Sequence, residues 1–321
     1  MSPIPSRIVI ASRGSRLALA QVEIVRSLIA SAHPTIEVAL VEVTTRGDRD
    51  LRPFAEIGSK GLFVKEVERT LLDGRADVAV HSAKDLTADL AEGCVLACVP
   101  ARAPVHDVVV GGSGDTGYER LGSLPPGARV GTSSVRRRAL LAEARPDLEA
   151  EDLRGNLDTR LAKVAAGNLD AAIVAAAGIE RLGDPLPTGP LDPDRWTPPP
   201  AQGALALETV AARSDLLALL EPLGDPTAWA EVTCERAYSA RLEGGCSVPL
   251  GCLARVDGSR LVVSGYLGAP DGGHSLRDRI SGPVRDAAAL GIELAEAILA
   301  AGGDELLADL EGMSLTTPSP P

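Results

Sequence analysis

Short apolar runs that end in polar clusters alternate with amphipathic stretches along the first part of the chain. RIVIAS (7–12) reads as a strand, and after Gly14 the positions Leu17, Gln21, Ile24 and Leu28 recur at helical spacing, predicting a helix through residue 30. IEVALVEVTT (36–45) is the next strand. A helix predicted over 62–72 leads through Gly74 into ADVAVHS (76–82), whose apolar run ends in polar residues as buried parallel strands do. CVLACVP (94–100) closes this set.

A second set repeats the first. DVVVG (107–111), RVGTSS (129–134), a helix over 135–144, a strand around Leu153, a helix over 156–166 and DAAIVAAAG (170–178) follow in order. IASRGSRLALA and VGTSSVRRRALLA both run strand, Ser/Arg turn, helix, while GRADVAVHSAK and GNLDAAIVAAA share Gly-x-x-Asp before an apolar strand. Two related α/β lobes enclosing a cleft are the simplest account. The proline-rich DPDRWTPPPAQG (192–203) is an extended crossover between them, after which ALALE returns to the first sheet. A helix over 227–242, strands at CLARV and RLVVSGYLG and a helix over 286–300 make a small α+β C-terminal domain. The expected division is 1–105 with 199–222 for lobe 1, 106–198 for lobe 2, 223–310 for the C-terminal domain and 311–321 for a disordered tail.

Composition narrows the function. A chain of 321 residues, 45% hydrophobic, exceeds what one core usually holds. Its net charge of −12 argues against a nucleic-acid or anionic-membrane binder, which needs basic stripes. Neither a leader pattern nor a run of membrane-spanning length is seen, so a soluble cytoplasmic protein is expected. The five cysteines form no Cys-x-x-Cys and the four histidines lie far apart, so no metal is expected. Cys94 and Cys98 share one strand face and read as small buried hydrophobes.

Against this acidic background the basic residues cluster. Arg13, Ser15 and Arg16 stand where a helix begins, as do Ser133, Ser134, Arg136, Arg137 and Arg138 in the second lobe, and helix N-termini with added guanidinium and hydroxyl groups favour anions. Arg154, beside Gly155, together with Arg160 and Arg181 adds charge suited to carboxylates. Any one of these arginines could equally be a solvated helix-end charge; their recurrence in both lobes favours a site. Lys84 and Asp85 of HSAKDL lie at the carboxyl end of a buried strand, where open α/β sheets hold ligands. GGSGDTG (111–117) contains a Gly-x-Gly-x-x-Gly, but Pro125 and Pro126 interrupt the helix a nucleotide cradle needs, and the stretch reads as a flexible turn. Finally RLEGGCSVPLG places Cys246 behind two glycines, a thiol that an arginine-rich cleft would activate and to which a bulky adduct could attach.

These motifs, taken in order, resemble one family. RIVIASRGSRLALAQ, TTRGD, GSKGLFVKEVE, ADVAVHSAKDL, GTSSVRRR, LRGNLDTRL, AAGIERLG, PAQGALALE and LEGGCSVPLG look like porphobilinogen deaminases, also called hydroxymethylbilane synthases, over nearly the whole chain. The resemblance implies two periplasmic-binding-protein-like lobes and a transferase of tetrapyrrole biosynthesis. Such an enzyme joins four porphobilinogen molecules head to tail with loss of ammonia, on a dipyrromethane cofactor held through a thioether at Cys246. It further implies that Lys84, Asp85, Ser134, Arg136, Arg137, Arg154 and Gly155 hold the cofactor, and that Arg13, Ser15, Lys60, Phe63, Arg160 and Arg181 hold substrate. Asp85 would be the catalytic carboxylate, stabilising the azafulvenium cation left by ammonia. A monomer passing its product to uroporphyrinogen-III synthase is also implied. Three places depart from the family pattern: Glu56 where lysine is common, Thr87 where proline is usual, and Pro200-Ala201 in place of Val-Gly before the Gln-Gly turn. Two rival readings remain open: a bilobal carboxylate-binding protein or inactive homologue, because solute receptors and ligand-sensing domains of transcription regulators share this architecture, and a cysteine transferase without a primer.

Overall fold

A computed structural model describes residues 5–49, 61, 64–183, 186–243 and 248–316. Lobe 1 opens with β1 (Arg7–Arg13), α1 (Arg16–Ala32), β2 (Glu37–Val43), α2 (Lys65–Leu72), β3 (Val78–Ser82) and β4 (Cys94–Cys98). Lobe 2 follows with β5 (Asp107–Gly111), α3 (Gly117–Gly122), β6 (Arg129–Gly131), α4 (Val135–Ala144), β7 (Glu149–Glu151), α5 (Leu157–Ala165), β8 (Ala171–Ala175), α6 (Ala176–Leu182) and β9 (Thr188–Pro190). The chain then returns through β10 (Leu205–Val210) and α7 (Ser214–Leu220), and ends with α8 (Pro226–Arg241), β11 (Leu250–Asp257), β12 (Arg260–Gly268), β13 (Ser275–Pro283), α9 (Ala287–Ile298) and α10 (Asp304–Thr316).

The two lobes are built alike. The first sheet has the order β2-β1-β3-β10-β4 and the second β7-β6-β8-β5-β9. In each, parallel strands join through helices, and one antiparallel strand is inserted next to the far edge: β10 against β3 and β4, β5 against β8 and β9. That inserted strand is the one by which the chain enters the lobe after a crossover, β5 after the first and β10 after the second. Ile8, Ile10, Val78 and Val80 pack against Val22, Val25 and Ile29 of α1 in one core, and Val109, Val130 and Ile173 against Leu140 and Leu141 of α4 in the other. Such β-branched strands, buried on both faces, are what helix-covered sheets require.

The C-terminal unit is the antiparallel sheet β11-β12-β13 covered by α8 and α9. It is joined to lobe 2 by Tyr266, whose ring enters that lobe's core beneath the Arg277 guanidinium 4.7 Å from its centroid.

Several sequence expectations are corrected. The chain stays helical to Thr316, so 311–316 is not part of a disordered tail. GGSGDTG leads into a short helix after all, closed at its start by a capping box between Thr116 and Glu119. Strand β7 ends at Glu151, and Leu153 is a buried residue beyond it. Strand β13 gives no apolar run because SLRDRISGP is an edge strand with its charges exposed.

Candidate active site

Ser15 and Ser134 both sit at helix N-caps. Ser15 Oγ accepts from Ala18 N–H at 3.3 Å to open α1, and Ser134 Oγ accepts from Arg137 N–H at 3.4 Å to open α4. This is the Ser/Arg turn of the sequence repeat, and it aims each helix's positive end towards the cleft. A pocket at the carboxyl ends of β1 and β3 is lined by Ser12, Arg13, Gln21, His81, Ser82 and Asp85. Ser82 is oriented by Gln21, whose amide donates to Ser82 Oγ at 2.8 Å.

The expected basic residues converge from both lobes. Arg160 of α5 donates to Gly155 O at 2.9 Å, and its guanidinium is pushed down to about 10 by burial and by Arg137, Arg154 and Arg13, with Asp85 acting in the opposite direction. Lys84 keeps accessible surface but is surrounded closely by protein, so desolvation, followed by Arg137, pushes its ammonium down to about 8 against the pull of Asp85 and Asp107. Five cationic groups, Arg13, Lys84, Arg137, Arg154 and Arg160, thus lie within electrostatic reach of one another or of Asp85. Gly155, at φ 101°, takes the left-handed turn that leads from Arg154, beyond the end of β7, into α5.

Arg181 is placed differently. It donates to the crossover at Gly203 O, 2.6 Å away, and Glu180 is the charge that acts on it; burial still lowers its guanidinium to about 10. Its Nε is buried without a hydrogen-bond partner among the described residues, as is that of Arg136. Lys60, Phe63 and Cys246, with Glu56, lie outside the described residues.

What the sequence reading missed is the acid that organises this site. Asp107, the first residue of β5, is fully buried and accepts from Arg136 Nη2 at 2.6 Å, Arg137 Nη2 and Nε at 2.7 and 3.1 Å, Trp196 Nε1 at 3.1 Å and Gln202 Nε2 at 2.9 Å. Arg136 and Arg137, 2% and 6% exposed, are therefore anchored behind the cleft wall, with Arg136 also donating to Thr197 O and Arg137 to Ile173 O. Burial opposes charge on Asp107, but Arg137 and Arg136 outweigh it and hold the carboxyl far below the usual range. A depressed folded-state value means that the pairing stabilises the fold fully at pH above the ordinary carboxylate range, declines as pH falls below that range and is gone once pH has fallen through the folded value. We expect Asp107→Asn to lower stability by about 3–5 kcal/mol at neutral pH, the scale of stranding a buried charge. In urea titrations the deficit should shrink as pH drops below about 4; a pH-independent deficit would assign it to packing.

The four described cysteines are poor nucleophiles. Burial pushes the thiols of Cys94, Cys98 and Cys234 up to about 12 and raises that of Cys252 well above the ordinary thiol value. Since the thiolate is the reactive form, none of them is suited to a covalent adduct.

Residues 8–218 match the family model described as Porphobilinogen deaminase, dipyromethane cofactor binding domain, and residues 229–300 match Porphobilinogen deaminase, C-terminal domain. The chain belongs to the porphobilinogen deaminase family. It is 48% identical over 301 residues to the porphobilinogen deaminase of Roseiflexus castenholzii, covering 93% of this chain and 98% of that protein. With that of Bordetella parapertussis it shares 47% over 306 residues, 95% of this chain and 96% of the relative. Among solved structures it has a distant likeness to the GlnP substrate binding domain 2 of Lactococcus lactis, 11% identical with a TM-score of 0.41 over 69% of this chain and 89% of that one.

One departure from the porphobilinogen deaminase motif carries a backbone cost. Ala201, where the family pattern has glycine, adopts φ 61°, a left-handed conformation that costs an alanine about 1 kcal/mol. The dipyrromethane that the family model names carries several carboxylates. Arg13, Arg137 and Arg154 gathered around Arg160, with Asp85 the carboxylate among the charges acting on Arg160, are a donor set that fits such a group.

Proposed function

We propose that this chain is the transferase that condenses porphobilinogen into hydroxymethylbilane for tetrapyrrole biosynthesis. The observation that carries the reading is the meeting of Asp85 from lobe 1 with Arg160, Arg154 and Arg137 from lobe 2, next to Lys84 and Arg13. When bound at Cys246, the dipyrromethane supplies the pyrrole carbon from which the chain is extended.

The protein's own groups have separable tasks. Arg13, Arg154, Arg160 and Lys84 hold acetate and propionate side chains, while Arg181 and the N-cap serines Ser15 and Ser134 border the same cleft. In each addition the C–N bond of the protonated aminomethyl group breaks and ammonia leaves with the electron pair. The cation left on the substrate's methylene is shared with its pyrrole nitrogen. A new C–C bond then forms to the terminal pyrrole, whose α-carbon loses its proton. Asp85, fixed in the cleft, stabilises that cation by a carboxylate placed before charge develops. Hydrolysis finally releases the linear tetrapyrrole. Lys60 and Phe63 are assigned to the same cleft by the motif alone.

We propose that the protein acts in the cytoplasm as a monomer that passes its product to uroporphyrinogen-III synthase; no helix among the described residues is long and apolar enough to cross a membrane. The test is stoichiometry. Incubation with porphobilinogen should release four ammonia for each linear tetrapyrrole formed, whereas binding without ammonia release would favour the bilobal-receptor reading.

A further inference from the structure

The crossover turn at residues 199–203 is held in a costly conformation by groups from every part of the molecule. Ala201 has positive φ, and its N–H donates to Glu235 Oε2 of α8 at 2.6 Å. Gly203 has φ 85°, and a Cβ there would come 2.3 Å from Ala103 O on the other crossover. Arg102 ties the turn down, donating to Gln202 O at 2.9 Å and through both its terminal nitrogens to Glu235 at 2.9 and 2.8 Å. Strain that surrounding structure over-determines is a pointer to function. The residue it fixes is Gln202, which is fully buried.

The amide of Gln202 has one possible orientation. Nε2 donates to Val105 O at 2.8 Å and to Asp107 Oδ1 at 2.9 Å, which uses both its hydrogens. Oε1 then faces Lys84 Nζ at 3.1 Å and accepts from it. The reversed amide would set its oxygen against a carbonyl and a carboxylate, and its N–H groups against an ammonium. We infer that Gln202 is a positioning residue for Lys84, fixing the ammonium in the cleft and linking it through Asp107 to Arg136 and Arg137. The functional part of this inference rests on Lys84 acting on substrate or cofactor carboxylates as proposed above; the geometric part does not.

The charged groups acting on Lys84 are Arg137, Arg136, Asp85 and Asp107. An oxygen that accepts from the ammonium stabilises its charged form, so loss of that oxygen lowers the titration midpoint of Lys84 and an added negative charge raises it. Trace labelling of the purified holoprotein with acetic anhydride across pH, read on the Lys84 peptide by mass spectrometry, measures the midpoint without turnover. Gln202→Met should move it down from about 8, and Gln202→Glu, which keeps the acceptor and adds charge, should move it up. Turnover should fall roughly tenfold in Gln202→Met, the scale of a hydrogen bond to a charged group. The same change made in a Lys84→Met background should have no further effect.

Unchanged midpoints in both variants, or additive losses of turnover, would overturn the inference. So would a rise in Gln202→Met towards the ordinary lysine value of 10.5, which is the signature of a turn that merely loosens. If Lys84→Met alone retains full turnover, the proposed role of Lys84 fails, while the labelling shifts still decide whether Gln202 positions it.

Discussion

Asp85→Asn should lower kcat by at least about 10²-fold while leaving the covalent primer in place. Asparagine keeps the size and hydrogen-bonding reach of the side chain and removes only its charge, so the change isolates the electrostatic contribution. That contribution should be large here because Asp85 lies in a cleft whose other nearby charges are mostly cationic. Arg137, Arg154 and Arg13 depress Arg160 while Asp85 opposes them. The cation that forms when ammonia leaves would otherwise develop beside guanidinium groups, and a carboxylate fixed at the carboxyl end of β3 offsets that repulsion without reorganising. Because the proposed function assigns binding of the carboxylated substrate to the arginines, KM should change much less than kcat. Steady-state assays on protein whose mass shows intact primer make the measurement. Near-normal turnover in such protein would contradict the role.

Much of this site was legible in the sequence because its parts are local. The Ser/Arg turns of both lobes announce N-caps, and Ser15 and Ser134 occupy them. The helix expected over 135–144 is α4, with Ser134 as its N-cap and Arg145 as its C-cap. Lys84 and Asp85 follow an apolar strand, and the structure puts them on a short 3-10 turn at its carboxyl end. Asp107 was not legible, since one acidic residue before an apolar run carries no periodic signal and its partners come from 29 to 95 positions away. The same holds for Gln202, which is visible inside PAQGALALE but gains meaning only where the two crossovers meet. Arg136 and Arg137 show the limit from the other side: their charge pointed to a cleft, whereas their side chains turn inward to Asp107. Strand β13 was hidden because an exposed edge strand needs no apolar face of its own.

The central claim is that Cys246 holds a primer, and it draws support from exclusion as well as from motif. Each of the four described cysteines is buried with its thiol raised, so a cysteine-linked group in this protein has Cys246 as its suitable site. The family model that covers residues 8–218 is named for a dipyrromethane cofactor, which a thioether at Cys246 would tether. The most direct measurement is the intact mass of the purified, denatured protein beside that of Cys246→Ser. The account predicts an excess equal to two deaminated pyrrole units on the wild-type chain, absent from the variant, together with loss of tetrapyrrole formation in the variant. A wild-type chain that is unmodified, and remains so after incubation with porphobilinogen, would contradict it.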